Sequence, residues 1–382
     1  MNKVIYFDHA ATTPLKGEVL EKMTPYLTSV FGNANSTYSL GRAAVKALDD
    51  ARDEIAALIG AARDEVYFTS GGTEGDNWVL RGAAEARGSK NTLVVSEIEH
   101  AAVLVTANEL NKYLGVTVKK VAPDSDGILS PESYFDAVDS DAFLACAMLA
   151  NNEVGTIEPI QKIAERVHEK GAKFFTDAVQ GAGAIEINVK TLGVDALTAS
   201  AHKFGGPKGA GFIYIKKDFH LPGLITGGHQ ERELRGGTSN VAAAVGMAEA
   251  LKLARKNLDL KAKKIAALRD EFVNKVTAKI SGVYSNGSKN SRLQNNANLT
   301  FNGVSGEALL AILDLNGVCA SLGAACSAGT VEPSYVLKAI GKTDEQAKSA
   351  LRFTFGEENT LEEVDYCVSV LSEAVEKLRK LS

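Results

Sequence analysis

Apolar and polar positions follow two alternating patterns between residues 65 and 200. Short apolar runs, typical of buried strands, occupy residues 65–69, 92–95, 116–121, 143–149, 173–176 and 195–199. Between most of these runs, apolar residues recur with the period of a helix, over residues 75–87, 101–114, 132–138 and 160–169. Strands that alternate with helices in this way predict a mostly parallel sheet with helices on both faces.

The pattern changes near residue 246. From there to residue 280 it is long, charged and helical, with apolar residues such as Leu251 and Leu268 on one side, and it predicts one connecting helix. The remaining elements are two strand-like runs and two helical patterns, at residues 297–301, 350–355, 307–315 and 361–381. We therefore expect an α/β protein with a large domain over residues 15–250. Residues 1–14 and 251–382 are expected to form a smaller α+β domain.

Composition narrows the class of protein. The chain has 382 residues, of which 45% are hydrophobic and 23% charged, and its net charge is −5. This balance is typical of a globular protein of two domains, and it argues against nucleic acid or an anionic membrane as the main partner. No apolar run is long enough to span a bilayer, and no secretory signal is visible. The four cysteines lack CxxC spacing, so we expect no metal site, no disulfide framework and a cytoplasmic location.

Lys203 lies at a chemically distinctive position. It follows the predicted strand over residues 195–199 and precedes a glycine-rich turn, with another apolar run at residues 211–215. Lysine is costly to bury, and a lysine at the end of a core strand is a candidate for a Schiff base with a carbonyl compound. The alternative is a solvated lysine in the loop of a hairpin.

Other strand ends carry groups that complement such a lysine. Residues 70–75 combine glycines with Thr73 before a helix and predict an anion site, or else an ordinary helix cap. His100 could stack on a flat ring or shuttle protons, or be a structural histidine. Asp177 leaves an apolar strand and needs a cation or N–H partner, although it could simply cap the following turn.

These groups are expected to meet, because ligands bind beyond the carboxyl ends of parallel strands. Neither a Walker A loop nor a dinucleotide fingerprint is present. A phosphate site, a ring-stacking imidazole, a carboxylate and a reactive lysine are together what pyridoxal 5′-phosphate requires.

At this point the sequence resembles a known family, the cysteine desulfurases of the NifS/IscS type within the class V aminotransferase-like enzymes. The resemblance runs through motifs at residues 8–14, 31–36, 69–74, 99–100, 151–153, 177–180, 202–203, 206–209, 227–231, 235–240, 323–329 and 351–352. It implies a fold type I PLP-dependent transferase, similar to aspartate aminotransferase. It also implies a homodimer that acts on L-cysteine and passes sulfur to an acceptor protein, such as an iron–sulfur scaffold or a sulfurtransferase.

The resemblance also implies roles for individual residues. Lys203 would carry the cofactor and act in catalysis, His100 would stack on its ring, Asp177 would pair with the ring nitrogen and Gln180 would bind the phenolic oxygen. The phosphate would be bound by Thr73, Ser200 and His202 beside Gly72, and from the neighbouring subunit by Thr238. The substrate carboxylate would be bound by Asn152 and Arg352, of which the second offers a forked guanidinium.

Cys326 is the predicted sulfur-accepting nucleophile. It lies among glycines, alanines and serine over residues 323–329, a composition that favours an exposed and mobile segment. Cys146, Cys319 and Cys367 are expected to be structural. An aminotransferase or a selenocysteine lyase is the alternative reaction, and a catalytically silent cofactor-binding protein is a third reading. The last would predict loss of Lys203 or Cys326, and both are present.

Overall fold

The computed structural model of the chain describes residues 4–322 and 332–381. The strands of this part are β1 (Ile5–Tyr6), β2 (Val66–Thr69), β3 (Thr92–Ser96), β4 (Thr117–Val121), β5 (Ala142–Cys146), β6 (Lys173–Asp177), β7 (Ala196–Ser200), β8 (Gly211–Ile215), β9 (Val283–Asn286), β10 (Asn296–Phe301), β11 (Val318–Cys319) and β12 (Ala350–Thr354). Its α-helices are α1 (Gly17–Thr28), α2 (Ser39–Ile59), α3 (Gly72–Ala86), α4 (Ala101–Leu114), α5 (Pro131–Ala137), α6 (Ile160–Glu169), α7 (Val189–Leu192), α8 (Val241–Arg255), α9 (Leu258–Lys279), α10 (Gly306–Leu315), α11 (Tyr335–Ala339), α12 (Asp344–Lys348) and α13 (Leu361–Leu381).

A seven-stranded sheet forms the centre of the molecule. Its strand order is β2-β8-β7-β6-β5-β3-β4. All neighbours pair in parallel except β8, which runs antiparallel to both β2 and β7. The mostly parallel sheet predicted from the alternation of strands and helices is therefore confirmed.

The central strands carry apolar side chains on both of their faces because both faces of the sheet are covered. Phe174 and Phe175 of β6 are adjacent, yet they enter two different hydrophobic clusters. One cluster includes Ile163 of α6, and the other includes Val79 of α3 and Val103 of α4. Successive strand residues point to opposite faces, so a strand buried on both sides loses the usual alternation of apolar and polar residues.

The single connecting helix predicted for residues 246–280 is wrong. Two helices occupy this stretch, α8 and α9, and the chain turns between them at Asn257, whose φ and ψ are 56° and 35°. Asparagine adopts this left-handed conformation more readily than most residues. The turn separates packing partners, because α8 packs on α1 and α2 whereas α9 packs on α13.

The turn at Asn257 offers a test by stability. Asn257→Gly is expected to change the free energy of unfolding by less than about 1 kcal/mol, since glycine adopts the left-handed region without steric cost. Asn257→Val is expected to lower it by about 1–3 kcal/mol, because a β-branched side chain is strained there. The same change at Lys256, which has ψ of 120° in the extended region, serves as the control. Urea denaturation of the variants would measure the difference, and equal losses at both positions would contradict the strain argument.

A second hydrophobic core lies outside the large sheet. An antiparallel sheet in the order β12-β10-β9 supports it, and β1 pairs in parallel with β11 beside it. The rings of Phe7, Phe272, Phe353 and Phe355 pack against one another in this core. Val336, although close to these elements in sequence, packs in the core of the large sheet. The domain limits at residues 14 and 250 stay a prediction.

None of the helices described by the structure is both long and apolar enough to cross a membrane.

Candidate active site

A cavity of about 300 Å³ opens where β5, β6 and β7 end. Its lining residues are Ala10, Ala11, Gly72, Thr73, Asp76, His100, Met148, Asn152, Asp177, Val179, Gln180, Ser200, His202, Lys203 and Arg352. These residues come from both ends of the chain and from five strand ends of the fold. The cavity thus brings most of the predicted site residues to one place.

Lys203 lies on a short 3₁₀ turn, Ala201–Lys203, that follows β7 directly. Its Nζ donates hydrogen bonds to the carbonyl oxygens of Ala10 at 2.6 Å and Ala11 at 2.9 Å. Burial lowers the pKa of Lys203 to about 8, and the nearby charge of Arg352 acts in the same direction. A lysine with this pKa carries an appreciable neutral fraction near neutral pH, which is the form that attacks a carbonyl carbon.

The first turn of α3 lines an adjoining cavity of about 370 Å³. Gly71 and Gly72 begin the helix, and a Cβ at Gly72 would lie only 2.6 Å from Cγ2 of Val179, so a larger residue would not fit. Ser200 and His202 line the same space from the end of β7. Free N–H groups at a helix start, together with hydroxyl and imidazole groups, form a suitable site for an anion.

His202 is held beside this anion site as a neutral imidazole. Burial lowers its pKa to about 4, with a further contribution from the charge of Lys203. Its Nδ1 lies 3.1 Å from Oγ1 of Thr12, and its backbone carbonyl accepts hydrogen bonds from both the N–H and the hydroxyl of Thr13. The N-terminal segment therefore fixes the turn that carries Lys203.

Asp177 ends β6 as a buried carboxylate. Its Oδ1 accepts a hydrogen bond from the N–H of Val179 at 2.8 Å, and burial raises its pKa, whereas that hydrogen bond and the charges of His100 and Lys203 act in the opposite direction. No lysine or arginine of the described chain forms a salt bridge with it within 4.0 Å. A buried carboxylate of this kind can accept a cationic group from a ligand.

Arg352 reaches the cavity from β12. One guanidinium nitrogen donates to the carbonyl oxygen of Asn152 at 2.9 Å, and another pairs with Oδ1 of Asp8 at 2.7 Å. The Nε atom is buried and has no hydrogen-bond partner among the residues that the structure describes. Arg352 is only 4% exposed, so its orientation is fixed before any ligand arrives. A fixed guanidinium at the edge of a cavity is suited to binding a carboxylate.

The chain matches known proteins over its full length. A family model described as Aminotransferase class-V matches residues 5–367. The cysteine desulfurase IscS of Dictyoglomus turgidum is 45% identical over 383 residues, which cover 100% of this chain and 97% of the relative. The chain belongs to the cysteine desulfurase family of class V aminotransferases.

Solved structures agree with this family. A NifS-like protein superposes with a TM-score of 0.93 at 36% identity, covering 98% of this chain and 100% of that chain. A structure described as SspA in complex with cysteine has a TM-score of 0.81 at 31% identity, covering 93% of this chain and 100% of that chain. The fold expected from the resemblance is therefore confirmed.

In this member of the cysteine desulfurase family, most of the predicted site residues lie in one cavity. Their individual roles remain predictions. The structure gathers Gly72, Thr73, His100, Asn152, Asp177, Gln180, Ser200, His202, Lys203 and Arg352 there. Thr238 lies elsewhere in the same chain, in a separate cavity of about 250 Å³ beside Ser70 and Arg235. Cys326 lies outside the described residues.

The structure adds two carboxylates that the sequence did not assign to this desulfurase-family site. Asp8 pairs with Arg352 although the two are 344 positions apart, and no pattern within one sequence predicts such a pairing. Asp76 lies on α3 one turn after Gly72 and is 1% exposed. A charged residue on the otherwise apolar face of α3, with Val79 and Leu80, is a signal that could have identified it.

The cysteines within the described ranges are consistent with a structural role. Cys146 and Cys367 are fully buried, and burial raises the pKa of both thiols. Cys319 is partly buried on β11, and its thiol pKa is also raised by burial, with further contributions from Asp314 and Asp8. A raised pKa disfavours the thiolate, which is the nucleophilic form.

Proposed function

We propose that this chain is a pyridoxal 5′-phosphate-dependent cysteine desulfurase that converts L-cysteine to L-alanine and retains the sulfur as a persulfide on Cys326. The observation that carries the proposal is the convergence of Lys203, Asp177 and Arg352 on one cavity at the carboxyl edge of the sheet. An amine nucleophile, a buried carboxylate and a carboxylate-binding guanidinium are what the chemistry of an amino acid on this cofactor needs. The curated relative named as a cysteine desulfurase supports the choice of reaction.

The residues at the cavity suit this cofactor. Its phosphate would be held at the start of α3 by Thr73, with Ser200 and His202, and its ring nitrogen by Asp177. Asp177 suits a protonated ring nitrogen because it is buried without a lysine or arginine salt bridge in the described chain. Gln180 would reach the phenolic oxygen, since its amide already lies at the cavity and donates to the carbonyl of Ala10 at 3.0 Å. When bound, the cofactor supplies an electron sink for the bonds at Cα and Cβ of the substrate.

The chain's own residues then bind the substrate and move its protons. Arg352 and Asn152 would orient the α-carboxylate. Lys203, as a neutral amine, would remove the Cα proton. The Cys326 thiolate would attack the substrate sulfur, so that the S–S bond forms as the Cβ–S bond breaks. The electron pair of the broken bond passes to the carbon skeleton, which takes up protons to give alanine, and no external oxidant or reductant is required.

Three further features belong to the proposal. Thr238 would contact the phosphate in a partner subunit, which makes the active form a homodimer. An acceptor protein would take the sulfur from Cys326, either an iron–sulfur scaffold or a thiolation protein. A reducing compartment such as the cytoplasm suits a chain that depends on a free thiol.

Product analysis tests the proposed reaction. Purified protein loaded with the cofactor is incubated with L-cysteine and a thiol reductant, and alanine and sulfide are measured together. Equal amounts of alanine and sulfide are expected. Exclusive turnover of selenocysteine would indicate a selenocysteine lyase instead, and transfer of the amino group to a keto acid without sulfide would indicate an aminotransferase.

Arg352 provides a kinetic prediction. Arg352→Lys keeps the positive charge but removes the fork, so the KM for L-cysteine should rise about 10–100-fold, the usual effect of losing a hydrogen bond between charged groups. Arg379→Lys, on the exposed end of α13, is the matched control. Steady-state kinetics of alanine formation would measure both variants. An unchanged KM in Arg352→Lys would rule out carboxylate binding by this residue.

A further inference from the structure

Asp76 is a buried carboxylic acid without an assigned role. It lies on α3, is 1% exposed and lines the cavity. Within the described residues, its Oδ1 has no hydrogen-bond partner, and no lysine or arginine forms a salt bridge with it. An ionised carboxylate buried without a partner is strongly destabilising, so either its proton or a ligand must compensate.

The neighbours of Asp76 are themselves titratable. One side-chain atom each of Asp76, Asp177 and His100 lie within 4.8 Å of one another. The charge of Glu99, on the segment before α4, also acts on Asp76, and the thiol of Cys146 in β5 is a further titratable neighbour. Two carboxylates this close in a buried place do not both ionise, because their repulsion is poorly screened.

The contacts of Asp76 and Asp177 decide which of the two carboxyl groups keeps the proton. Asp177 accepts the hydrogen bond of the Val179 N–H and faces the charges of His100 and Lys203, all of which favour its ionised form. Asp76 also has His100 within 4.8 Å, but in the described chain it accepts no backbone hydrogen bond and has no lysine beside it. Burial raises the pKa of Asp76 well above its ordinary value, and the charges of Asp177 and Glu99 raise it further.

We infer that Asp76 is a neutral carboxylic acid whose O–H donates to the Asp177 carboxylate and holds it in place for the ring nitrogen of the cofactor. Asp76 is thus a positioning residue that acts through Asp177. This role rests on the proposed function, but the protonation of Asp76 is a property of the cofactor-free chain. The two parts can therefore be tested apart.

The first test is the pH dependence of stability of the cofactor-free protein. An acid whose pKa is raised by folding contributes stability that is complete below its unfolded pKa, about 3.9 for aspartate, and is lost as pH rises through the folded pKa. The midpoint of thermal unfolding of the wild type should therefore fall relative to that of Asp76→Asn as pH rises above about 4. Asp139→Asn is the control, because a salt bridge to Lys119 lowers the pKa of Asp139 and gives no such trend.

The second test is cofactor affinity. Asp76→Asn keeps a neutral donor of the same shape, whereas Asp76→Ala removes it. Cofactor binding to the apoprotein, followed by fluorescence titration, should be at least about tenfold tighter for Asp76→Asn than for Asp76→Ala, since a hydrogen bond to a charged group is lost in the second. Equal affinities would overturn the positioning role.

A rival state is an ionised Asp76, paired with a protonated His100 or bound with it to a cation. That state predicts the opposite trend, in which the wild type gains stability over Asp76→Asn as pH rises. It also predicts that zinc chloride raises the unfolding midpoint of the wild-type apoprotein but not of Asp76→Asn. Either result would overturn the inference. Neither experiment uses cysteine, so a failure of the proposed reaction would be seen separately, in the product analysis.

Discussion

Lys203→Ala is expected to lower the turnover of L-cysteine by about 10³-fold or more. The substitution removes both the amine that would bind the cofactor covalently and the base that would remove the Cα proton, and general acid–base catalysis alone contributes about 10²–10⁴-fold. The same variant should release its cofactor on dialysis and lose the absorbance of the protonated Schiff base. Alanine formation and the visible spectrum measure the two effects.

The control for Lys203 is Lys217→Ala. Lys217 is 82% exposed and its ammonium lies 3.8 Å from Asp64, so its removal should change neither the spectrum nor the rate. Lys203→Ala that kept more than a tenth of the wild-type rate would contradict the role assigned to this lysine. The geometry makes the variant informative. Within the part of the chain that the structure describes, Nζ of Lys203 donates hydrogen bonds only to the carbonyl oxygens of Ala10 and Ala11, and loss of those contacts should not unfold the chain.

Cys326→Ser is expected to abolish desulfuration and leave cofactor and substrate binding intact. A serine hydroxyl is not ionised near neutral pH and cannot accept sulfur, so turnover should fall by about 10³-fold or more, the scale for loss of a nucleophile. L-Cysteine should still change the absorbance of the bound cofactor, since the cavity residues that bind the amino acid are unaltered. Sulfide and alanine release, measured beside the spectrum, separates binding from sulfur transfer.

Cys319→Ser is the matched control for this thiol. Its sulfur is partly buried on β11 and its raised pKa disfavours the thiolate, so the variant should keep the wild-type rate within about twofold. A loss of turnover in Cys319→Ser together with normal turnover in Cys326→Ser would show that Cys319, and not Cys326, is the nucleophile.

The sheet and most of its helices could be predicted because their patterns are local. The boundaries of α4, α6 and α13 agree with the periodicity, and most strands agree within one residue. The error at α8 and α9 has a local cause that periodicity does not detect. Apolar residues continue with helical periodicity across Asn257, but this single residue has a left-handed backbone conformation that changes the direction of the chain. The strand predicted over residues 143–149 is β5, which ends at Cys146. Beyond it the chain leaves the sheet and Met148 lines the cavity.

The site could be predicted as far as it follows the ends of strands. Asp177 comes directly after an apolar run and Lys203 comes shortly after another, so one rule about parallel sheets places them together. Asp8 was not found because its partner, Arg352, is distant in sequence and lies on β12 of the second sheet. Asp76 was not found because it lies within a helix and not at a strand end, although its place on the apolar face of α3 was a signal that the helical pattern carried.

The most direct test of the account is the fate of the sulfur after a single turnover. The loaded protein is incubated with L-cysteine without a thiol reductant, digested and analysed by mass spectrometry, while alanine is counted in the same sample. The proposed sulfur transfer predicts that the peptide containing Cys326 gains one sulfur atom, and that one alanine forms for each persulfide. Sulfur found on Cys319 instead, or pyruvate and free sulfide formed without a persulfide on Cys326, would contradict it.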